Sequence, residues 1–186
     1  MQLDQLKILV TGGASGMGRV FATELARSGA AVTIADLNDD AIAETIASAR
    51  DLPGTIHGIN ANVAKEDDVV RLIKGAAEAM GGLNGLINNA GIFRDGLLVK
   101  KDRETGAVKK MSLDQWSAVI AVDLTGPFLC TREFAAHALE TGTKPGVIVN
   151  ISSVAPDSTR TPRWKNAVRW ETRAACCMLC VTIAMA

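Results

Sequence analysis

Apolar positions along the chain alternate between two periods. Short runs rich in apolar residues occur at Ile8-Leu9-Val10, Ala31 to Ala35, Leu83 to Ile87 and Val147 to Ile151, with a short, more polar candidate at Thr55 to Asn60. Between them, apolar residues recur every three or four positions: Val20, Phe21, Leu25 and Ala26, then Ile42, Ile46 and Ala49, then Val69, Leu72, Ile73 and Ala76. The first pattern predicts strands buried on both faces, the second predicts amphipathic helices. The helices are expected over Gly16 to Ser28, Asp39 to Arg50 and Lys65 to Met80. Gly29, Pro53-Gly54 and Gly81-Gly82 punctuate them. Ser112 is expected to cap a long helix to about Glu140, with a kink at Pro127. Strand and helix in alternation predict an α/β fold: a doubly wound parallel sheet with helices on both faces and right-handed crossovers. A length of 186 residues suits one domain over 1–186.

One stretch departs from this rhythm. Val99 to Lys110 is charged, with Gly106 near its middle. It reads as an exposed hairpin or loop over the site, or simply as a solvated face.

Candidate chemistry gathers at the carboxyl ends of the predicted strands, where ligands bind in open parallel sheets. The first strand runs into Val10-Thr11-Gly12-Gly13-Ala14-Ser15-Gly16-Met17-Gly18 and then a helix. Glycines let the backbone turn tightly and approach a ligand. The helix N-terminus offers free N–H groups and the positive end of its dipole, which suit a pyrophosphate. The second strand ends in Asp36, 18 residues past Gly18. A carboxylate there can accept hydrogen bonds from the adenosine ribose and repels the 2′-phosphate of NADP. It could instead cap the next helix, with Asn38 and Asp39 as rivals. The third strand ends near Asn62-Val63, whose polar side chain could reach an adenine edge; the fourth ends in Asn88-Asn89-Ala90-Gly91 and the fifth in Ser152-Ser153.

Composition narrows the function classes. The net charge is zero and the pI near 6.7, so no basic face for nucleic acid is expected. No signal-peptide pattern and no run of about 18 apolar residues are visible, so no membrane partner and a cytoplasmic location are expected. Cys130, Cys176, Cys177 and Cys180 form no disulfide framework. With His57 and His137 standing alone, no metal site is expected.

The glycine turn, Asp36, Asn88-Asn89-Ala90-Gly91 and Asn150-Ile151-Ser152-Ser153 together resemble the classical short-chain dehydrogenase/reductase family, in particular its 3-oxoacyl-carrier-protein reductase-like members. The resemblance covers Lys7 to Ala155 and implies a Rossmann fold. It further implies a nicotinamide cofactor, NAD rather than NADP given Asp36 and the absence of a base at Ser15. Hydride would pass to or from a small-molecule ketone or secondary alcohol, and a homotetramer or homodimer is the family habit. The implied cofactor contacts are Gly12, Ser15, Gly16, Met17, Gly18, Asp36, Leu37, Asn62, Val63, Asn89, Ala90 and Gly91.

The implied catalytic serine, which holds the substrate oxygen, is Ser153. The supporting asparagine of the family falls on Asp123, which cannot donate a hydrogen bond when ionised. The family's general acid/base tyrosine and its lysine should fall at Asn166 and Trp170, and the chain contains no tyrosine. Between Pro156 and about Cys180 the composition shifts toward Arg, Trp and Cys, as a shifted reading frame would produce; a divergent loop is the other reading. Val181 to Ala186 resembles the family's helix after the lysine. Family members continue beyond this point, so C-terminal truncation is expected, with the fifth strand left as the sheet edge. Three outcomes stay open: an oxidoreductase impaired by the missing tyrosine, a catalytically silent dinucleotide-binding module, or a non-folding fragment.

Overall fold

The computed structural model describes residues 2–94 and 97–151, together with the backbone of 183–185. β1 (Lys7–Thr11), β2 (Ala31–Asp36), β3 (Thr55–Asn60), β4 (Gly85–Asn88) and β7 (Gly146–Asn150) form the parallel part of a six-stranded sheet. Its order is β3-β2-β1-β4-β7-β8, where β8 is Ile183–Met185. The order runs outward from β1 in both directions, so the switch point lies between β1 and β4. Crossover helices α1 (Gly16–Arg27), α2 (Asp39–Ser48) and α3 (Glu66–Met80) connect the first four strands.

The apolar runs of β1, β2 and β4 become strands buried on both faces of the sheet, whereas β3 at the edge mixes buried and exposed positions. Alternate residues of β1 enter different cores. Ile8 and Val10 pack with Ala22 and Ala26 of α1 and Ile42 of α2. Leu9 packs with Val69, Leu72 and Ile73 of α3 and with Phe134 and Ile148. The two layers clamp the central strands and hold their carboxyl ends in register: Thr11 beside Ala35, and Val10 beside Ile87.

The charged segment is an antiparallel hairpin of β5 (Val99–Lys101) and β6 (Val108–Lys110), exposed except for the partly buried Asp102. It forms as expected, but none of its residues lines the cleft described below. The predicted long helix is three pieces: α4 (Leu113–Ile120), a π turn (Ala121–Thr125) and α5 (Gly126–Thr141). Ser112 caps α4 in a reciprocal capping box with Gln115. Pro127 lies in the first turn of α5. It has no N–H for the carbonyl four residues back, and that residue is Asp123 in the π turn. The wide turn, rather than a sharp kink, absorbs the missing bond.

Of the helix expected over 181–186, the structure describes 183–185, and these are not helical. Residues 183–185 add to the free edge of β7 as an antiparallel strand, pairing Gly146 with Met185 and Ile148 with Ile183. The sheet is therefore mixed, and β8 rather than the fifth parallel strand forms its edge. An open strand edge presents a row of unpaired N–H and C=O groups, which recruits an extended segment more readily than a helix. Ser153 and the segment Pro156 to Cys180, which holds the expected catalytic positions Asn166 and Trp170, lie outside the described residues. Among the described residues no helix is long and apolar enough to cross a membrane.

Candidate functional site

The carboxyl ends of β1, β2, β3 and β4 surround a cleft of ≈ 340 Å³ at the switch point. Gly12, Ser15, Met17, Asp36, Leu37, Asn62, Val63, Asn89, Ala90 and Gly91 line it, all of them among the cofactor contacts that the resemblance implies. Ala35, Ala61, Ile92 and Val122 line it too and are not among those contacts. Gly16 is exposed at the turn, and Gly18 is buried behind it.

Gly16 has φ +50°, a left-handed conformation natural to glycine, and the space its Cβ would occupy is empty. Ser15 precedes α1 as its N-cap without a side-chain cap bond, so the first turn of the helix keeps its donors for something else. Gly18 serves a different purpose. A Cβ there would lie 2.1 Å from the Gly12 carbonyl oxygen, so only glycine lets the helix close onto the turn. The open cradle at Gly16, the uncapped helix end and the adjacent carboxylate are a donor-and-acceptor set that fits a dinucleotide.

Two strand ends are stitched together beneath the turn. The Thr11 hydroxyl accepts from the backbone N–H groups of Asn89 and Ala90, each at 3.0 Å. The Asn89 side chain donates back to the carbonyls of Thr11 (3.0 Å) and Gly12 (3.2 Å). Asn88 is buried and donates to Asn150 Oδ1 at 2.8 Å and to Thr131 Oγ1 at 3.1 Å, tying β4 to β7 and α5. Thr11 acts here through its hydroxyl, a role the sequence motif left unassigned.

Asp36 does not cap α2. Asn38 does, accepting the Ala41 N–H at 3.0 Å. Asp36 instead accepts three backbone donors: Leu37 at 2.8 Å and Asn38 at 3.3 Å on Oδ1, and Ala14 of the glycine turn at 3.2 Å on Oδ2. Asn62 folds its own loop, accepting the Ala64 N–H at 2.9 Å while its backbone N–H reaches Asp68 at 3.0 Å. That N–H, with the Arg71 guanidinium, holds the Asp68 carboxyl below its ordinary value.

Asp123 projects from the π turn, and its Oδ1 accepts the Ile92 N–H at 2.9 Å. A carboxylate thus serves where the resemblance expected an amide, because an acceptor is all that Ile92 needs. Burial pushes its pKa up, against the pull of that N–H. The folded chain therefore holds this proton more tightly than the unfolded chain does. Stability from this group is greatest at low pH and falls as pH rises from the ordinary carboxylate value, about 4, through the raised one. Asp123→Asn keeps an oxygen for Ile92 and cannot titrate. Denaturation midpoints of the variant are expected to lack that decline; parallel pH profiles for the two proteins would reject the assignment. Cys130 is also buried, which pushes its thiol up to about 12 and leaves it no nucleophile at neutral pH.

The family model for short chain dehydrogenase matches residues 6–164. The chain belongs to that family. It is 39% identical over 152 residues to a 3-oxoacyl-[acyl-carrier-protein] reductase of Synechocystis, a match covering 79% of this chain and 55% of the relative. It is 37% identical over 148 residues to a 2,5-dichloro-2,5-cyclohexadiene-1,4-diol dehydrogenase of Sphingobium indicum, covering 80% and 54%. The structure is similar to a short chain dehydrogenase/reductase of Burkholderia phymatum solved in complex with NAD, at TM-score 0.71 and 30% identity, covering 82% of this chain and 50% of that one. A short chain dehydrogenase of Bacillus anthracis gives TM-score 0.69 and 29% identity, covering 81% and 58%. The short chain dehydrogenase family thus accounts for the glycine turn, the sheet order and the Asn88-Asn89-Ala90-Gly91 strand end. The chain spans about half the length of the curated relatives it matches.

Proposed function

We propose that the cleft binds NAD(H), with the pyrophosphate at the Gly12–Gly18 turn and the adenosine ribose on Asp36. The observation that carries this reading is the Asp36 carboxylate, which lines the cleft beside the uncapped N-terminus of α1. Oδ1 is engaged by two N–H groups and Oδ2 by one, so Oδ2 retains acceptor capacity for a ribose hydroxyl. Gly12, Ser15, Met17 and Gly18 form the phosphate side of the site in this reading. Leu37, Asn62 and Val63 flank the adenine, and Asn89, Ala90 and Gly91 border the nicotinamide half. The activity of the lineage is hydride transfer between a nicotinamide and a ketone or secondary alcohol, the 3-oxoacyl class included, since one relative is such a reductase.

When bound, the nicotinamide supplies the carbon that gives or takes the hydride. The chain's own residues must position the substrate oxygen and move a proton to it. Ser153 is the group proposed to hold that oxygen. Asp123 positions the Ile92 amide at the mouth of the cleft. No tyrosine exists in these 186 residues to deliver the proton. General acid/base catalysis is typically worth about 10²–10⁴-fold. That absence favours a second reading, in which the chain is a dinucleotide-binding module with little or no turnover.

Fluorescence titration of the 186-residue chain is expected to show NADH binding at least about tenfold tighter than NADPH, because a 2′-phosphate would face Asp36. The same preparation is expected to reduce no ketone above background. Equal binding of both nucleotides would sink the Asp36 assignment. Measurable NADH-dependent ketone reduction would sink the silent-module reading.

A further inference from the structure

Behind the cleft, the backbone of one residue is held from three elements. Ala14 is fully buried in the middle of the glycine turn. Its N–H donates to Asp36 Oδ2 at 3.2 Å, from the end of β2. Its carbonyl accepts Arg19 Nε–H at 2.8 Å, from the first turns of α1. The same carbonyl faces the Thr45 hydroxyl at 3.3 Å, from the buried side of α2. Thr45 Oγ1 also lies 2.8 Å from the Ala41 carbonyl, so one proton is shared between two acceptors. Glu44, the neighbour of Thr45, meets the Arg19 guanidinium at 3.4 Å. Two consecutive residues of α2 thus reach the glycine turn, one directly and one through Arg19.

Packing does not require a hydroxyl at position 45. Thr45 has no exposed surface, and valine would fill the same volume. A buried hydroxyl is retained where its hydrogen bonds matter, because leaving it unpaired is costly. Its partner carbonyl belongs to the residue whose N–H orients Asp36. The peptide planes that carry this N–H and this carbonyl meet at the Ala14 Cα and are joined by its φ and ψ torsions. Holding the carbonyl from two sides fixes one plane and narrows those torsions, which limits how the N–H can aim Oδ2.

We propose that Thr45, assisted by Arg19, is a positioning residue that sets dinucleotide specificity by locking Ala14 and thereby the rotamer of Asp36. The inference rests on the proposed NAD(H) reading of the cleft. Without the lock, Asp36 keeps its Oδ1 contacts to Leu37 and Asn38, but the Ala14 N–H is held less firmly against Oδ2. The carboxylate then swings, its bond to a ribose hydroxyl weakens, and its repulsion of a 2′-phosphate is blurred.

The test uses the full chain and compares NADH with NADPH by fluorescence titration in wild type, Thr45→Val and Thr45→Ser. Thr45→Val is expected to lose about fivefold in NADH affinity, the size of one ordinary hydrogen bond, with NADPH binding not weakened. The NADH-to-NADPH ratio therefore falls about fivefold, and Thr45→Ser restores it. A merely structural role would weaken both nucleotides together or neither, so an unchanged ratio in a folded Thr45→Val overturns the inference. Should that variant fail to fold, Arg19→Met removes the other donor to the same carbonyl, and an unchanged ratio there overturns it equally. A wild type that binds neither nucleotide, or prefers NADPH, overturns the NAD(H) reading instead.

Discussion

Gly16→Asp is expected to abolish measurable NADH binding while leaving the far-ultraviolet circular dichroism of the chain unchanged. The space beside Gly16 is open, so a side chain meets no neighbour there. Its φ of +50° is a conformation that aspartate tolerates better than most residues. The fold therefore loses little. The introduced carboxylate, however, stands at the helix N-terminus where the pyrophosphate is proposed to lie. Juxtaposed like charges cost several kcal/mol, and about 3 kcal/mol is more than a hundredfold in affinity. Gly16→Ala separates the two contributions. It carries only the backbone strain, on the order of 1 kcal/mol, which lowers the stability of the free and bound chain alike, so its NADH affinity should stay close to wild type. Undiminished NADH binding by a folded Gly16→Asp chain would place the nucleotide elsewhere.

The largest stability effect is expected at Phe134. Its side chain in α5 has no exposed surface and belongs to the cluster formed by Leu72, Leu86, Leu129 and Ile148. Truncating a fully buried phenylalanine to alanine typically costs about 3–5 kcal/mol, combining lost transfer energy with a residual cavity. Native domains are stable by only about 5–15 kcal/mol, so Phe134→Ala removes a large share of the total. The damage should reach the cleft as well. Thr131, one turn before Phe134, accepts from Asn88 at the end of β4, and β4 carries Asn89 to the glycine turn. Denaturant titration should therefore show a much lower midpoint, and NADH affinity should fall with it. A loss below about 1 kcal/mol would mean that α5 is not packed as described.

How much of this architecture could be read from the chain varies by element, for identifiable reasons. β3 spans Thr55–Asn60 in both the expectation and the structure, because Pro53-Gly54 closes one end and the Asn62 loop the other. The strand ends that line the cleft were legible because glycine and polar residues interrupt apolar runs there. The π turn was not, since apolar periodicity cannot distinguish a wide turn from a regular one; Pro127 marked only where the hydrogen bonding had to change. The resemblance gives a helix for residues 181–186, whereas 183–185 pair with the free edge of β7, a neighbour that only the fold reveals. Arg19 and Thr45 escaped because their partner is a backbone carbonyl. Thr45 meets it across 31 positions, and nothing in side-chain type announces such a link. Asp123 was located by its position in the motif, but its partner, the Ile92 N–H, needed the fold.

The Thr11–Asn89 stitch also bears on the order in which the molecule assembles. Its partners are 78 positions apart, and β1 gains β4 as a neighbour only after β2, β3 and their helices have intervened. The glycine turn can form early and locally, but the wall facing it arrives with β4. Closing so long a loop is slow relative to local helix formation, because its entropy is lost before the contact is made. A nascent chain shorter than about ninety residues would hence have the turn without the cleft. Nucleotide added to the folded chain should accordingly slow amide exchange in β1 and β4 together, as one cooperative unit, since neither wall holds the nucleotide without the other.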